Sequence, residues 1–258
     1  MRINRTLLAA VVGLSLAVAI NSSVKAAPAA KTAQTKLVFG PAKTIGNGKC
    51  SSFIKLDAAG NPLAVGFTLS DKCLTGLPPG KFNVPDMLNL EMPKENPTGF
   101  NHLELDWNAQ GHDPKPIYGV PHFDFHFYLC NDQMLNMVMG GPDTAPVEAK
   151  YIPTDYISGV DSVPHMGTHW IDKFSPEFHG KPFTSTFIYG FYKGDMKFVE
   201  PMITLDFLKS IKDNDPFTMK IKQPEAFQHH AWYPGQMRVE YNATSHQYLV
   251  TLDDLAKR

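Results

Sequence analysis

The chain has 258 residues, with 24 basic against 25 acidic side chains, 21 prolines, 19 glycines and three cysteines. A formal net charge of −1 argues against nucleic acid or an anionic membrane as the main partner. The high proline and glycine content favours many short strands with long ordered loops over a helical bundle.

Arg2 and Arg5 precede an apolar run from Leu7 to Ile20, and Val24-Lys-Ala26 fits a small-x-small cleavage site. Residues 1–26 therefore read as a signal peptide, and the mature protein as secreted or periplasmic. The run is too short for a membrane span, and no second long apolar run follows. Losing Arg2, Arg5 and Lys25 takes the basic count from 24 to 21 and the net charge to about −4. Residues 27–36 read as a flexible leader. Residues 37–258 read as one β-rich domain, an antiparallel β-sandwich or barrel-like fold with long loops and one or two short helices.

Ser52–Leu56 and Leu63–Leu69 form a hairpin over Asp57–Pro62, with Gly60 where positive φ is needed. Cys50 and Cys73 could bridge across its ends in an oxidising compartment, or all three cysteines, Cys130 included, could be reduced and buried. Val84–Pro93 reads as an edge strand that sends Leu88 and Leu90 to the core. In 101–107, Leu103, Leu105 and Trp107 share one face, and His102, Glu104 and Asp106 the other. The loop 108–116 follows, and it favours a solvent-exposed His112 over one that swings back as a ligand.

Pro121–Tyr128 is the stretch around which the chemistry is organised. With period two, Phe123, Phe125 and Phe127 face the core, while His122, Asp124 and His126 face the other way. A solvated face tolerates any polar residue; imidazole and carboxylate together suit a metal or proton-transfer site. At roughly 3.3 Å per residue, His122 and His126 lie about 13 Å apart on a regular strand. One histidine at most therefore pairs with Asp124, and other ligands must come from elsewhere.

Met134–Met139 reads as core filling. Residues 143–163 lack periodicity and read as a lid or surface loop. Of His165 and His169, the latter is the stronger ligand candidate. Phe183–Phe191 and Met196–Met202 form a hairpin around Lys193-Gly194-Asp195, and Glu200 shares a face with Met196, Phe198 and Met202. A carboxylate in such surroundings is costly unless a cation or several donors meet it. Thr204 caps a short helix to Ile211, and Met237–Tyr241 with Tyr248–Leu252 closes the chain as a last hairpin. His229 and His230 receive no role.

The expected site is a metal centre of His126, His169 and Glu200, with His122 and Asp124 as a further ligand and orienting group. Two imidazoles and a carboxylate suit Zn²⁺, with Fe²⁺ or Mn²⁺ as alternatives, and Asp124 or Glu200 would act as base. No HExxH, nucleophile elbow, P-loop or dinucleotide fingerprint is present. The functional expectation is an exported metal-dependent hydrolase or lyase for a small molecule. The alternatives are a non-catalytic oligomeric envelope-stress or binding protein with a structural metal site, and a metal-free hydrogen-bond network.

Asp106-Trp-Asn108, Gly111-His112, Pro121–Tyr128, Met166-Gly-x-His169-Trp170, Tyr189-Gly190 and Glu200-Pro-Met-Ile-Thr204 resemble the motifs of an uncharacterised family of exported bacterial proteins. That family is named for a Thermus protein under extracytoplasmic sigma-factor control, and the likeness runs from about Lys49 to the C-terminus. The resemblance implies a β-rich, zinc-binding, homo-oligomeric domain, with no established reaction to carry over.

Overall fold

The alternating segments pair into two antiparallel sheets, seen in a computed structural model that describes residues 34–258. The strands are β1 (Lys36–Phe39), β2 (Lys43–Ile45), β3 (Gly48–Leu56), β4 (Pro62–Ser70), β5 (Asp86–Glu91), β6 (His102–Asn108), β7 (His122–Tyr128), β8 (Tyr156–Val163), β9 (Gly167–Asp172), β10 (Ser185–Tyr192), β11 (Asp195–Thr204), β12 (Phe217–Lys220), β13 (Trp232–Asn242) and β14 (Gln247–Lys257). Three short helices join them, α1 (Lys115–Tyr118), α2 (Asp132–Leu135) and α3 (Leu205–Ser210). The first sheet runs β1-β3-β4-β14-β13-β12, with β2 also on β3, and the second runs β5-β6-β7-β11-β10-β9-β8. The expected signal peptide and the leader up to residue 33 lie outside the described residues. Lys36, placed in the leader on sequence grounds, already opens β1, because it pairs with Leu56 of β3.

The sheets pack face to face as a β-sandwich, and their inner faces share one hydrophobic cluster. Phe67 of β4 meets Phe125 and Phe127 of β7 edge-on, with ring centroids 5.1 and 5.2 Å apart. Edge-to-face contact is the arrangement the ring quadrupoles favour, so the two sheets are locked where the aromatic stripe of β7 is densest. Leu90, Leu103 and Leu105 are fully buried in the same layer. Thr204 caps α3 by accepting from the Phe207 N–H, and Leu208 of that helix is buried.

Three sequence expectations change, and the open cysteine alternative is decided. Met134, Met137 and Met139 are exposed, while Leu135 and Val138 are buried. Leu135 ends α2, and the turn that follows, in which the Val138 N–H donates to the Leu135 carbonyl at 2.9 Å, brings Val138 to the same covered side in place of the methionines. Residues 156–163 form an edge strand, not a loop. Its pairing with β9 slips between Ser158 and Ser162, which breaks the alternation by which a strand is recognised. Cys50 and Cys73 are both free and buried, and the Cys73 thiol donates to the Lys49 carbonyl at 3.1 Å. Burial, reinforced by Cys73, pushes the Cys50 thiol well up from its ordinary value. The third change concerns His112, which returns to the second sheet. Among the described residues, no helix is long and apolar enough to cross a membrane.

Candidate metal centre

The outer face of the second sheet is built by register. Pairing of β6 with β7 sets Glu104 against His126, Asp106 against Asp124 and Asn108 against His122. The β7–β11 pairing matches Phe127 with Val199 and Asp124 with Met202, so Glu200 stands opposite His126. A carboxylate therefore flanks His126 on both neighbouring strands. His169 comes from β9, where it pairs with Gly190 of β10. A side chain at 190 would collide with the Phe198 ring, since an added Cβ lies 2.1 Å from it. Glycine there lets Phe198 lie across β10, and His169 packs edge-on over that ring at 5.3 Å while reaching Glu200.

The outcome is that His126, His169 and Glu200 offer ligand atoms that all lie within 4.8 Å of one another. His126 Nε2 is 3.5 Å and His169 Nε2 3.4 Å from Glu200 Oε2. Donors bound to one tetrahedral ion at 2.0–2.2 Å are separated by roughly 3.3–3.5 Å, so the spacing is that of a coordination edge. On the far side of the ring, His126 Nδ1 faces Asp106 Oδ2 at 3.8 Å. Glu104, Asp106 and His126 Nδ1 form a third close group.

His122 does not join His126. It groups with Asp124 and with His112, and this is where the expectation for His112 is corrected. Gly111 has φ +70°, and a Cβ added there would lie 2.1 Å from the Tyr118 carbonyl oxygen, so glycine lets the chain close and turn His112 back over β7. Its ring lies 4.7 Å from that of His122, and 27% of the side chain remains exposed. His165 lies exposed in the turn before β9. Asp106 and Glu104 had no role in the sequence reading. Their alternation on β6 was visible, and only the hairpin register shows that they face Asp124 and His126.

Electrostatics sharpens the picture. Glu104, Asp106, Asp124 and Glu200 are all buried, yet none of the ion pairs among the described residues gives them a lysine or arginine. Burial, then the charges of Asp124 and Asp106, pushes the Glu200 carboxyl far up. Burial, with Glu104 and Asp124, does the same to Asp106, and burial lifts Glu104 to about 7. The imidazoles go the other way. Burial lowers His126 to about 3, and burial with His112 lowers His169 to about 4, so both are neutral and available as ligands. Both nitrogens of His126, both carboxylate oxygens of Asp106 and Oε2 of Glu200 lack any hydrogen-bond partner. Buried polar atoms without partners are costly, and a cation among them removes the cost.

Two small apolar clusters close the ends of this face. Tyr128, Leu135, Val138, Met166 and Phe198 form one, and Tyr118, Phe183, Ile188 and Met202 the other. Between them His169 is 23% exposed, so solvent reaches the group from its side while His126 and Glu200 stay covered.

A family model described as TTHB210-like, Hypothetical protein TTHB210, matches residues 57–107, which is 51 of the 258 residues. The matched segment supplies His102, Glu104 and Asp106 and stops short of β7. No curated protein and no solved structure matches the chain.

Proposed function

We propose that the protein is an exported metal-binding protein in which His126, His169 and Glu200 hold a Zn²⁺ ion, with Fe²⁺ or Mn²⁺ as the alternatives, and that the centre carries metal-assisted hydrolysis or lyase chemistry on a small molecule. The observation that carries this reading is the convergence of two neutral imidazole nitrogens on one carboxylate oxygen at 3.4 and 3.5 Å, with no hydrogen bond to explain it. A zinc ion with three protein ligands lowers the pKa of a bound water toward 7 and polarises a carbonyl.

This chain's residues divide the remaining work. His126 and Glu200 lie under the apolar clusters and are shielded from bulk water, which strengthens their hold on a cation. His169 forms the rim, so a small substrate approaches from its side. Glu200 belongs among the ligands in this reading, and Asp124 is left to the neighbouring group. Asp106 stands behind His126, with Oδ2 3.8 Å from Nδ1; closing that gap to a hydrogen bond on ion binding would let the carboxylate orient the ring and raise its basicity as a ligand. Export is supported by Arg2, Arg5 and the apolar run that follows them. The non-catalytic alternative, a structural ion in a binding protein, draws on the cover over His126 and Glu200. It differs in leaving no position for substrate.

The test is elemental analysis of mature protein purified without added metal, together with His126→Ala and Glu200→Ala. Metal in the wild type and a lower content in both variants is expected. A full complement retained in both variants would refute the ligand set. Hydrolysis of a panel of small esters, stopped by chelator and restored by zinc, separates the catalytic reading from the structural one.

A further inference from the structure

We infer that His112, His122 and Asp124 form a second divalent-cation site on the same face, independent of whether the His126 group holds an ion. Backbone carbonyls fix the tautomers of both histidines. The His122 Nδ1–H donates to the Val120 carbonyl at 2.6 Å, and the His112 Nδ1–H donates to the Asp113 carbonyl at 2.8 Å. A carbonyl oxygen only accepts, so in both rings the proton sits on Nδ1 and the neutral ring presents an Nε2 lone pair. Those two Nε2 atoms face the same carboxylate, His122 at 3.2 Å from Asp124 Oδ1 and His112 at 3.7 Å from Oδ2.

Three acceptors turned toward one another need a positive charge between them. A second proton on each Nε2 is one source. Yet His122 Nε2 and Asp124 Oδ1, though only 3.2 Å apart, lack hydrogen-bond geometry, and both are left without a partner. A fully buried imidazolium that makes no hydrogen bond to the carboxylate beside it would be costly. A cation placed where the lone pairs cross satisfies both atoms, and the separations bracket the roughly 3.3–3.5 Å edge of a tetrahedral site. Asn108 supports the arrangement, its amide donating to Asp124 Oδ2 at 2.7 Å and fixing the carboxylate plane.

Charge balance points to the same count of ions. Glu104, Asp106, Asp124 and Glu200 are four buried carboxylates on one face, and none is paired with lysine or arginine among the described residues. Two divalent ions match four carboxylates, whereas one leaves two of them to be neutralised by protons. Asp124 and His126 are neighbours on one side of β7, about 7 Å apart along a regular strand, so the two sites adjoin. Imidazole and carboxylate donors without a thiolate select zinc, manganese or ferrous ions.

The experiment uses full-length mature protein stripped with chelator and dialysed to equilibrium against zinc chloride, with bound zinc counted per chain. Two equivalents are expected in the wild type, and one each in His112→Ala, Asp124→Asn and His126→Ala. His112 lies on a loop and is part-exposed, so its variant keeps the fold; circular dichroism checks all three. Unchanged stoichiometry in both His112→Ala and Asp124→Asn overturns the inference. So does a single wild-type equivalent that His126→Ala removes and His112→Ala leaves. A single equivalent lost in His112→Ala but kept in His126→Ala would sustain this site and refute the ligand set of the proposed function.

Discussion

Along β7 the two faces of the second sheet are both buried and differently held. On the inner face, Phe123, Phe125 and Phe127 pack against rings and aliphatic chains of the facing sheet, and each buried atom has a neighbour of its own kind. On the outer face, alternating with those rings along β7, His122, Asp124 and His126 are buried, and His122 Nε2, Asp124 Oδ1 and both His126 nitrogens meet no donor or acceptor. The first sheet handles buried polarity in the ordinary way. Ser51 and Thr68 share a hydrogen bond at 3.0 Å on its outer face, and Asp253 accepts from Arg238 at 2.9 Å and from Gln236 at 3.1 Å. Burial by itself does not tell what holds a face together. The inner face draws its stability from area removed from water, whereas the outer face, under the proposed function, would draw part of its stability from bound cations.

The largest expected effect lies on the inner face. Phe125→Ala removes a fully buried ring that contacts Phe67, and it should cost about 3–5 kcal/mol in urea unfolding. That loss should be the same with and without chelator, because nothing on the inner face interacts with an ion. Wild-type protein, by contrast, should lose about 2.7 kcal/mol for each bound ion when zinc at a hundred times its dissociation constant is withdrawn. A wild type indifferent to chelator would break the comparison.

The next effect separates the charge of the outer face from its shape. Asp106→Asn keeps the side chain's size and a carbonyl oxygen near His126 Nδ1 but removes the carboxylate charge. Zinc affinity should fall 10–100-fold, about 1.4–2.7 kcal/mol. Metal-free Asp106→Asn should nonetheless be at least as stable as metal-free wild type, since a carboxylate crowded by Glu104 and Asp124 is gone. Opposite signs in the two states are the signature of a positioning residue. A variant that is less stable without metal and unchanged in affinity would make Asp106 an ordinary part of the fold.

The inner face was legible in the sequence and the outer face only partly. Period-two alternation over 102–107, 122–128 and 196–202 identified the strands and the side each residue takes, and the Glu200 environment could be read from its three apolar same-face neighbours. Alternation gives a side but not a neighbour. Asp106 lies beside Asp124 because of hairpin register, which the 13-residue connection between β6 and β7 does not encode locally. His112 was read as exposed because a loop of glycine, aspartate and proline carries no period. Its return depends on the backbone of 111–118 closing on itself at Gly111. His169 and Glu200 meet across an intervening strand through the gap left at Gly190, a packing detail that no spacing rule contains.

The smallest effect is expected where polar groups do have partners. At the β10–β11 turn, Asp195 accepts from His229 Nε2 at 2.8 Å and from the Lys197 ammonium at 2.6 Å. Burial would raise the Asp195 carboxyl, but these two donors hold it at about 2, while the bond to Asp195 raises His229 above its ordinary value. A depressed carboxylate contributes stability above its unfolded value near 4 and loses it as pH falls through about 2. A raised histidine contributes fully below about 6.5 and loses that contribution as pH rises through its folded value. The interaction is therefore complete between about pH 4 and 6.5. His229→Gln should be less stable than wild type at pH 5.5, by less than about 1 kcal/mol because both side chains are more than a third exposed and screened by solvent. At pH 8.5 the deficit should shrink toward zero. Comparing variant and wild type by urea unfolding under saturating zinc cancels whatever the outer face contributes. An equal deficit at both pH values would show that His229 acts through packing, and that this rim differs from the outer face in less than its electrostatics.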